Sequence, residues 1–273
     1  MTVNEVLIHV DFAENYIAKL SSAVQSAHFG ASQHQITLHT GVYYIGPNGS
    51  AQTFCSVSDS LQHGPAAIWT HMLPVIDDIL ETNKDINSIH FFSDGPSAQY
   101  RQKLNFFIFA NVLAQKGIKS ATWNFFESGH GKGVPDGVGA AVKRAADRRV
   151  LGGEDIWNAQ ILYEQLLPKS TVRLYHIEAS MVEENVKQLS GAKVSQVPGT
   201  MRLHQIIAEG AQAISYRVVS CFCQHPSSCS CFNPTKFTFS TLASIIPDRW
   251  LIHPNNAAAL NRYTDFLKYL FLV

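Results

Sequence analysis

The chain has 273 residues, 46% apolar and 15% charged, with 21 basic against 21 acidic side chains. Such a composition excludes a disordered tail and provides for one large domain, or a core with an appendage, while zero net charge excludes a uniformly basic nucleic-acid binder. No apolar stretch spans a bilayer, the start Met-Thr-Val-Asn-Glu-Val lacks the basic and apolar regions of a signal peptide, and five cysteines, four within 221–231, are no secreted framework; an intracellular protein is expected.

In chain order, the apolar run Val6-Leu7-Ile8-His9-Val10 ends in Asp11, and residues 5–11 read as a strand. Residues 35–45 (QITLHTGVYYI) alternate and are rich in β-branched and aromatic side chains, which suits a second strand. Pro47-Asn48-Gly49-Ser50 signals a turn, and 51–57 the third strand of a meander. Residues 65–81 carry Ile68, Trp69, Met72, Leu73, Ile76 and Leu80 at helical spacing. A fourth strand, 88–93, ends at Asp94; 99–116 reads as a helix stopped by Gly117; 121–126 (ATWNFF) is a fifth strand. After a glycine-rich turn, 136–149 is a helix with a small-residue face. Beyond 150 the pattern gives a helix over 154–167, a strand over 171–177, little of clear period over 198–213, and an aromatic-rich helical stretch at 261–273.

The order β-β-β-α-β-α-β-α predicts an α/β fold with a ribonuclease-H-like mixed sheet flanked by helices over 1–150, and an α+β extension over 151–273. In that layout strands one and four are neighbours, which sets Asp11 beside Asp94. A carboxylate where a central strand meets solvent costs stability unless something positive sits beside it. Two of them side by side suit a hard divalent cation, Mg²⁺ or Mn²⁺, and so a metal-dependent phosphoryl-transfer site. Taken singly, each has a plainer reading, Asp11 as a turn cap and Asp94-Gly95-Pro96-Ser97 as an ordinary turn.

A third oxygen donor comes from the segment 127–139, either Asp136 at the helix start, where Asp is also a common cap, or Glu127 at the end of strand five. His130 is placed to orient a water or protonate a leaving group, and Lys132 to balance phosphate charge. Arg101 and Lys103, in the polar run opening the helix after Asp94, are candidate phosphate contacts, as are Lys143 and Arg144 with Arg148 and Arg149; a solvated helix face is the equal alternative. No GxxxxGK[ST] or GxGxxG element follows a strand, so no nucleotide cofactor is expected. Cys221, Cys223, Cys229 and Cys231 form C-x-C-x5-C-x-C, with His225 between them, and suit a structural Zn²⁺ better than a set of free thiols. Cys55, inside a strand, belongs to the core.

The segments VDFAENY at 10–16, HFFSDGPSAQYRQKLNFF at 90–107 and SGHGKGVPDGVGAAVKR at 128–144 resemble a family of transposon-derived proteins similar to DDE/D transposases with a ribonuclease-H-like catalytic core. The resemblance covers roughly the first 150 residues and extends to the CFC and CSC elements. It implies nuclear DNA strand cleavage and transfer by two metal ions, with Asp11 and Asp94 as the first two acids, Asp136 as the third, His130 matching a nearby histidine, and possible homo-oligomers. Two alternatives stand beside it: a domesticated, inactive descendant that binds nucleic acid or protein, and a ribonuclease-H-like exonuclease or junction resolvase. Strand one begins almost at residue 1, so the end-reading domain of a transposase is not placed on this chain.

Overall fold

Alternation in the first strand decides which face of the sheet carries Asp11. In the computed structural model, which describes residues 1–22, 34–49, 51–127, 133–223, 229–241 and 243–251, β1 (Glu5–Ile17) buries Val6, Ile8 and Val10 completely. Leu7, His9 and Asp11 point to the opposite face and are only half-buried. β2 (Gln35–Ile45) pairs antiparallel with β1, and β3 (Gln52–Ser58) antiparallel with β2. On its other side β1 pairs parallel with β4 (Ser88–Ser93), and β4 parallel with β5 (Ser120–Phe125).

The chain beyond 150 adds strands to both edges of this same sheet. β6 (Arg173–His176) runs parallel to β3; β7 (Gln205–Ala208), β8 (Ala213–Arg217) and β9 (Thr235–Thr238) extend the sheet antiparallel from β5. The described residues thus form a mixed α/β structure around a nine-stranded sheet in the order β6-β3-β2-β1-β4-β5-β7-β8-β9.

The apolar pattern places helices on both faces. α1 (Pro65–Thr82) and α2 (Lys103–Gln115) bury Trp69, Met72, Phe106 and Phe109 against Ile8, Val10, Phe91 and Trp123. Trp123 is the centre of that layer, stacked on Phe91 at 4.7 Å and edge-on to Trp69 at 6.1 Å, with its indole N–H donating to Ser93 Oγ at 2.9 Å. On the opposite face α3 (Val134–Leu151) sets Val138, Val142 and Ala146 against Ile36, Leu38 and Val57, and buried Cys55 belongs to the same layer. Two shorter helices complete the chain's later half: α4 (Ala159–Leu166), capped by Asn158 Oδ1 accepting from Ile161 N at 2.8 Å, and α5 (Ala179–Ser190). A single turn, α6 (Asp248–Leu251), follows, and no helix is long and apolar enough to cross a membrane among the described residues.

Three elements differ from their sequence expectation. β1 continues past Asp11 because its ladder with β2 persists to Ile17↔Gln35; a bulge between Ala13 and Tyr16 turns Tyr16 onto the α3 face, where its hydroxyl meets Asp147 Oδ1 at 3.1 Å. Asp11 therefore sits within a strand rather than at its end. α2 begins at Lys103, not 99, since residues 99–102 form a turn that buries Tyr100 and Arg101. The helix expected over 154–167 starts only at Ala159, after its Asn158 cap. The stretch 261–273 lies outside the described residues.

α3 lies unusually close to β1. A Cβ added at Gly139 would stand 2.6 Å from Ala13 Cβ, whereas one at Gly137 would meet nothing within 4 Å. Two glycines of one helix thus carry opposite constraints. Gly139→Val should destabilise the fold by about 2 kcal/mol through overpacking, and Gly137→Ala should stabilise it by up to about 1 kcal/mol through helix propensity. Urea titration of the two variants checks both signs.

Candidate active site

Asp11 and Asp94 meet because of strand register. The parallel ladder pairs Leu7 with His90 and ends at His9 with Phe92, so Asp11 and Asp94 each lie two residues beyond it on neighbouring segments. They are near enough for the charge of one to act on the other. The Asp11 carboxyl is pushed up to about 7, first by burial and then by the charges of Asp94 and Asp136, against a stabilising hydrogen bond from the Phe12 backbone N–H. Asp94 is also raised, by burial and by Asp136, with the Arg101 guanidinium pulling the other way. Its Oδ1 is buried and has no hydrogen-bond partner among the described residues.

Asp136 joins this neighbourhood from the first turn of α3. Its Oδ2 accepts from Gly133 N at 3.1 Å, the one half of a capping box that a glycine N-cap allows, so the plainer capping role stands beside the effect of its charge on the two strand acids. Glu127 points elsewhere: it is exposed and pairs with His204 Nε2 at 3.1 Å. His130 and Lys132 lie outside the described residues.

Arg101 corrects the expectation of a phosphate-contacting surface residue. It is 7% exposed, its guanidinium donates to Met201 O at 3.0 Å and Phe126 O at 3.2 Å, and it lies over the Phe125 ring at 5.0 Å. Gly95 makes room for it, since a Cβ there would stand 2.3 Å from Arg101 Nε. Arg101 is a fixed positive charge behind Asp94. Lys103 is half-buried at the start of α2; Lys143 is occupied by Glu14, with Nζ 3.2 Å from its carbonyl and 3.5 Å from Oε2; Arg144 is exposed.

Two neighbours of the acids were not foreseen. Tyr100 is fully buried, with its hydroxyl 3.0 Å from His39 Nε2, and its own ionisation is suppressed by burial and by Asp11 and Asp94. His9 lies two residues before Asp11 on the same face; burial holds it below the usual imidazole range, although Asp136 draws it upward, and its Nε2 lacks a partner among the described residues. The period of two along a strand was the available signal for His9. Nothing local marks Tyr100, which reaches the site from a turn.

The four cysteines do come together. The sulfur of Cys221 lies 3.2 Å from that of Cys223 and 3.5 Å from that of Cys229, and Cys223 Sγ is 3.8 Å from Cys231 Sγ. A tetrahedral Zn²⁺ with sulfur at about 2.3 Å separates its ligands by about 3.8 Å, so these side chains can hold such a metal. Among the described residues this is the group whose donor atoms all lie within 4.8 Å of one another; the three aspartates interact without converging to that degree. The Cys221 thiol is drawn down to about 7 by hydrogen bonds from the Cys223 backbone and thiol, and the Cys223 thiol is raised in return. Buried Arg217 supports the cluster, donating to Cys229 O at 2.7 Å, Cys229 Sγ at 3.2 Å and Gln205 Oε1 at 2.7 Å.

Two outcomes follow from this geometry. For Asp11 the unfolded chain ionises near pH 4 and the folded one near 7, so the folded state binds more protons between those values and wild type loses stability as pH rises through that window. Asp11→Asn should therefore stabilise protein free of divalent cations by about 1–2 kcal/mol at pH 8, allowing for solvent screening, and by nothing below pH 4. Melting curves across pH measure this. For the cysteines, atomic emission should find about one zinc per chain, lost in Cys229→Ser.

The model of a family described as a domain of unknown function, DUF8701, matches residues 1–220, a span that holds all three aspartates and stops just before Cys221. No curated protein and no solved structure matches the chain. With β1 through β8 inside the matched span, the chain belongs to the DUF8701 family.

Proposed function

We propose that this chain is a metal-dependent phosphodiesterase of the DDE/D transposase type, acting on DNA in the nucleus through a ribonuclease-H-like core. One observation carries the reading: Asp11 on β1 and Asp94 just past the end of β4, adjacent parallel strands at the middle of the sheet, are both raised by burial and by Asp136. The central strand order β3-β2-β1-β4-β5, antiparallel then parallel, supports the fold part of the reading. The unpartnered, buried Asp94 Oδ1 supports the cation part, since an anionic oxygen out of water costs free energy until a positive charge reaches it.

In this mechanism Asp11 and Asp94 would hold the divalent cation, with Asp136 completing the acidic set from α3. A bound Mg²⁺ or Mn²⁺ would supply Lewis acidity and an activated water. Hydrolysis joins the water oxygen to phosphorus, breaks the P–O3′ bond and delivers a proton to the departing 3′ oxygen, leaving a 3′-hydroxyl and a 5′-phosphate. Strand transfer exchanges water for a 3′-hydroxyl. Arg101, fixed by two carbonyls, favours the ionised form of Asp94 through its charge. Tyr100 keeps its proton and backs the site from the other face.

A second reading, a descendant that binds nucleic acid or protein without cutting, draws on the engagement of Asp136 in the helix cap and on zero net charge. Mn²⁺-dependent nicking of supercoiled plasmid decides between them. The enzymatic reading expects nicking by wild type that falls to background in both Asp11→Asn and Asp94→Asn. Nicking absent in wild type, or surviving in both variants, refutes it.

A further inference from the structure

The sheet face that carries Asp11 and Asp94 also carries a run of touching rings. His9 meets Phe126 edge-on at 5.1 Å, Phe126 meets Phe92 at 5.8 Å, and Phe92 stacks on Phe222 at 5.9 Å with ring planes 15° apart. The run begins two residues from Asp11 and ends on a side chain that is 71% exposed. Phe222 is not loosely placed. It stands between Cys221 and Cys223, and Gln205 clamps the backbone beside it, donating to Cys221 O at 2.8 Å and accepting from Cys221 N at 3.3 Å. Gln205 is in turn held by Asn124 Oδ1 at 3.0 Å and by Arg217. Phe222 thus presents a large apolar ring to water from a backbone anchored at Cys221.

The ring run opens into a cleft of about 450 Å³ over β4 and β5, in the size range of small-ligand sites. Its walls are Phe92 and Phe222, and its polar groups include His90, Thr122 and Glu5. No Lys or Arg is among its lining residues, and the Met1 ammonium that lines it lies 3.9 Å from Glu5 Oε2, so no unpaired positive charge is offered to a phosphate there. A flat heterocycle with hydrogen-bonding edges matches the aromatic walls and the polar groups beside them.

We infer that this cleft receives unstacked bases of a single DNA strand, with Phe222 as the stacking platform, on the path to Asp11 and Asp94. The inference rests on the catalytic reading for its direction toward the acids, but the base-binding site stands on its own contacts. It assigns the cysteine cluster a second task beyond holding the fold, namely presenting Phe222.

Fluorescence anisotropy with a labelled oligothymidylate and a hairpin duplex, without added Mg²⁺ or Mn²⁺, tests it. The expected result is single-strand binding by wild type that weakens about tenfold in Phe222→Ala, with duplex binding unchanged. Phe222→Trp should keep wild-type affinity, and its new indole fluorescence should be quenched by saturating oligothymidylate. Single-strand affinity equal in wild type and Phe222→Ala, no single-strand binding by wild type, or an indole signal indifferent to the oligonucleotide overturns the inference. Plasmid nicking is read separately. Asp11-dependent nicking with no Phe222 effect on strand binding sinks the cleft alone, and Phe222-dependent strand binding without nicking sinks the catalytic reading alone.

Discussion

Mutual repulsion between two carboxylates, set one strand apart on the face of a buried sheet, is the constraint around which this structure is arranged. A sheet interior does not tolerate such a pair without compensation. Here the compensation is partial. Arg101 approaches Asp94 from behind, held by two backbone carbonyls and admitted by the missing side chain at Gly95, while Asp11 has little more than one backbone N–H. The remaining imbalance raises both acids.

Much of this was legible along the chain, and the reason is burial. The ladders over Gln35–Ile45 and Ser88–Ser93 match their sequence expectation because both strands are rich in β-branched or aromatic side chains and end at polar turns. β1 was read too short because Asp11, Glu14 and Asn15 break its apolar pattern, although backbone pairing with β2 does not need apolar side chains. The turn at 99–102 was read as helix since its polar residues suit a first turn equally well; what decides otherwise is Arg101 reaching carbonyls at positions 126 and 201, a contact no local pattern encodes. β7 and β8, only four and five residues long, acquire their strand character from pairing with β5 and with each other.

The two candidate centres are joined by one polar network through the sheet. Asn124 donates to Phe91 O at 3.2 Å and accepts from Gln205; Gln205 and Arg217 then reach the cysteines. Phe91 precedes Asp94 by three residues on the same chain segment. The cysteine loop is thus referenced to the strand that carries one of the acids, through buried side chains of adjacent strands and not through surface contacts.

The close approach at Gly139 fixes how deep α3 sits on β1. Asp136 lies three residues before that contact, and Asp147, bonded to Tyr16 and Lys19, lies eight residues beyond it. At 1.5 Å of rise per residue these separations are about 4.5 and 12 Å. The height of Asp136 above the sheet is thus set by a glycine, a residue that carries no chemistry of its own, and by a hydroxyl and an amine at the far end of the helix.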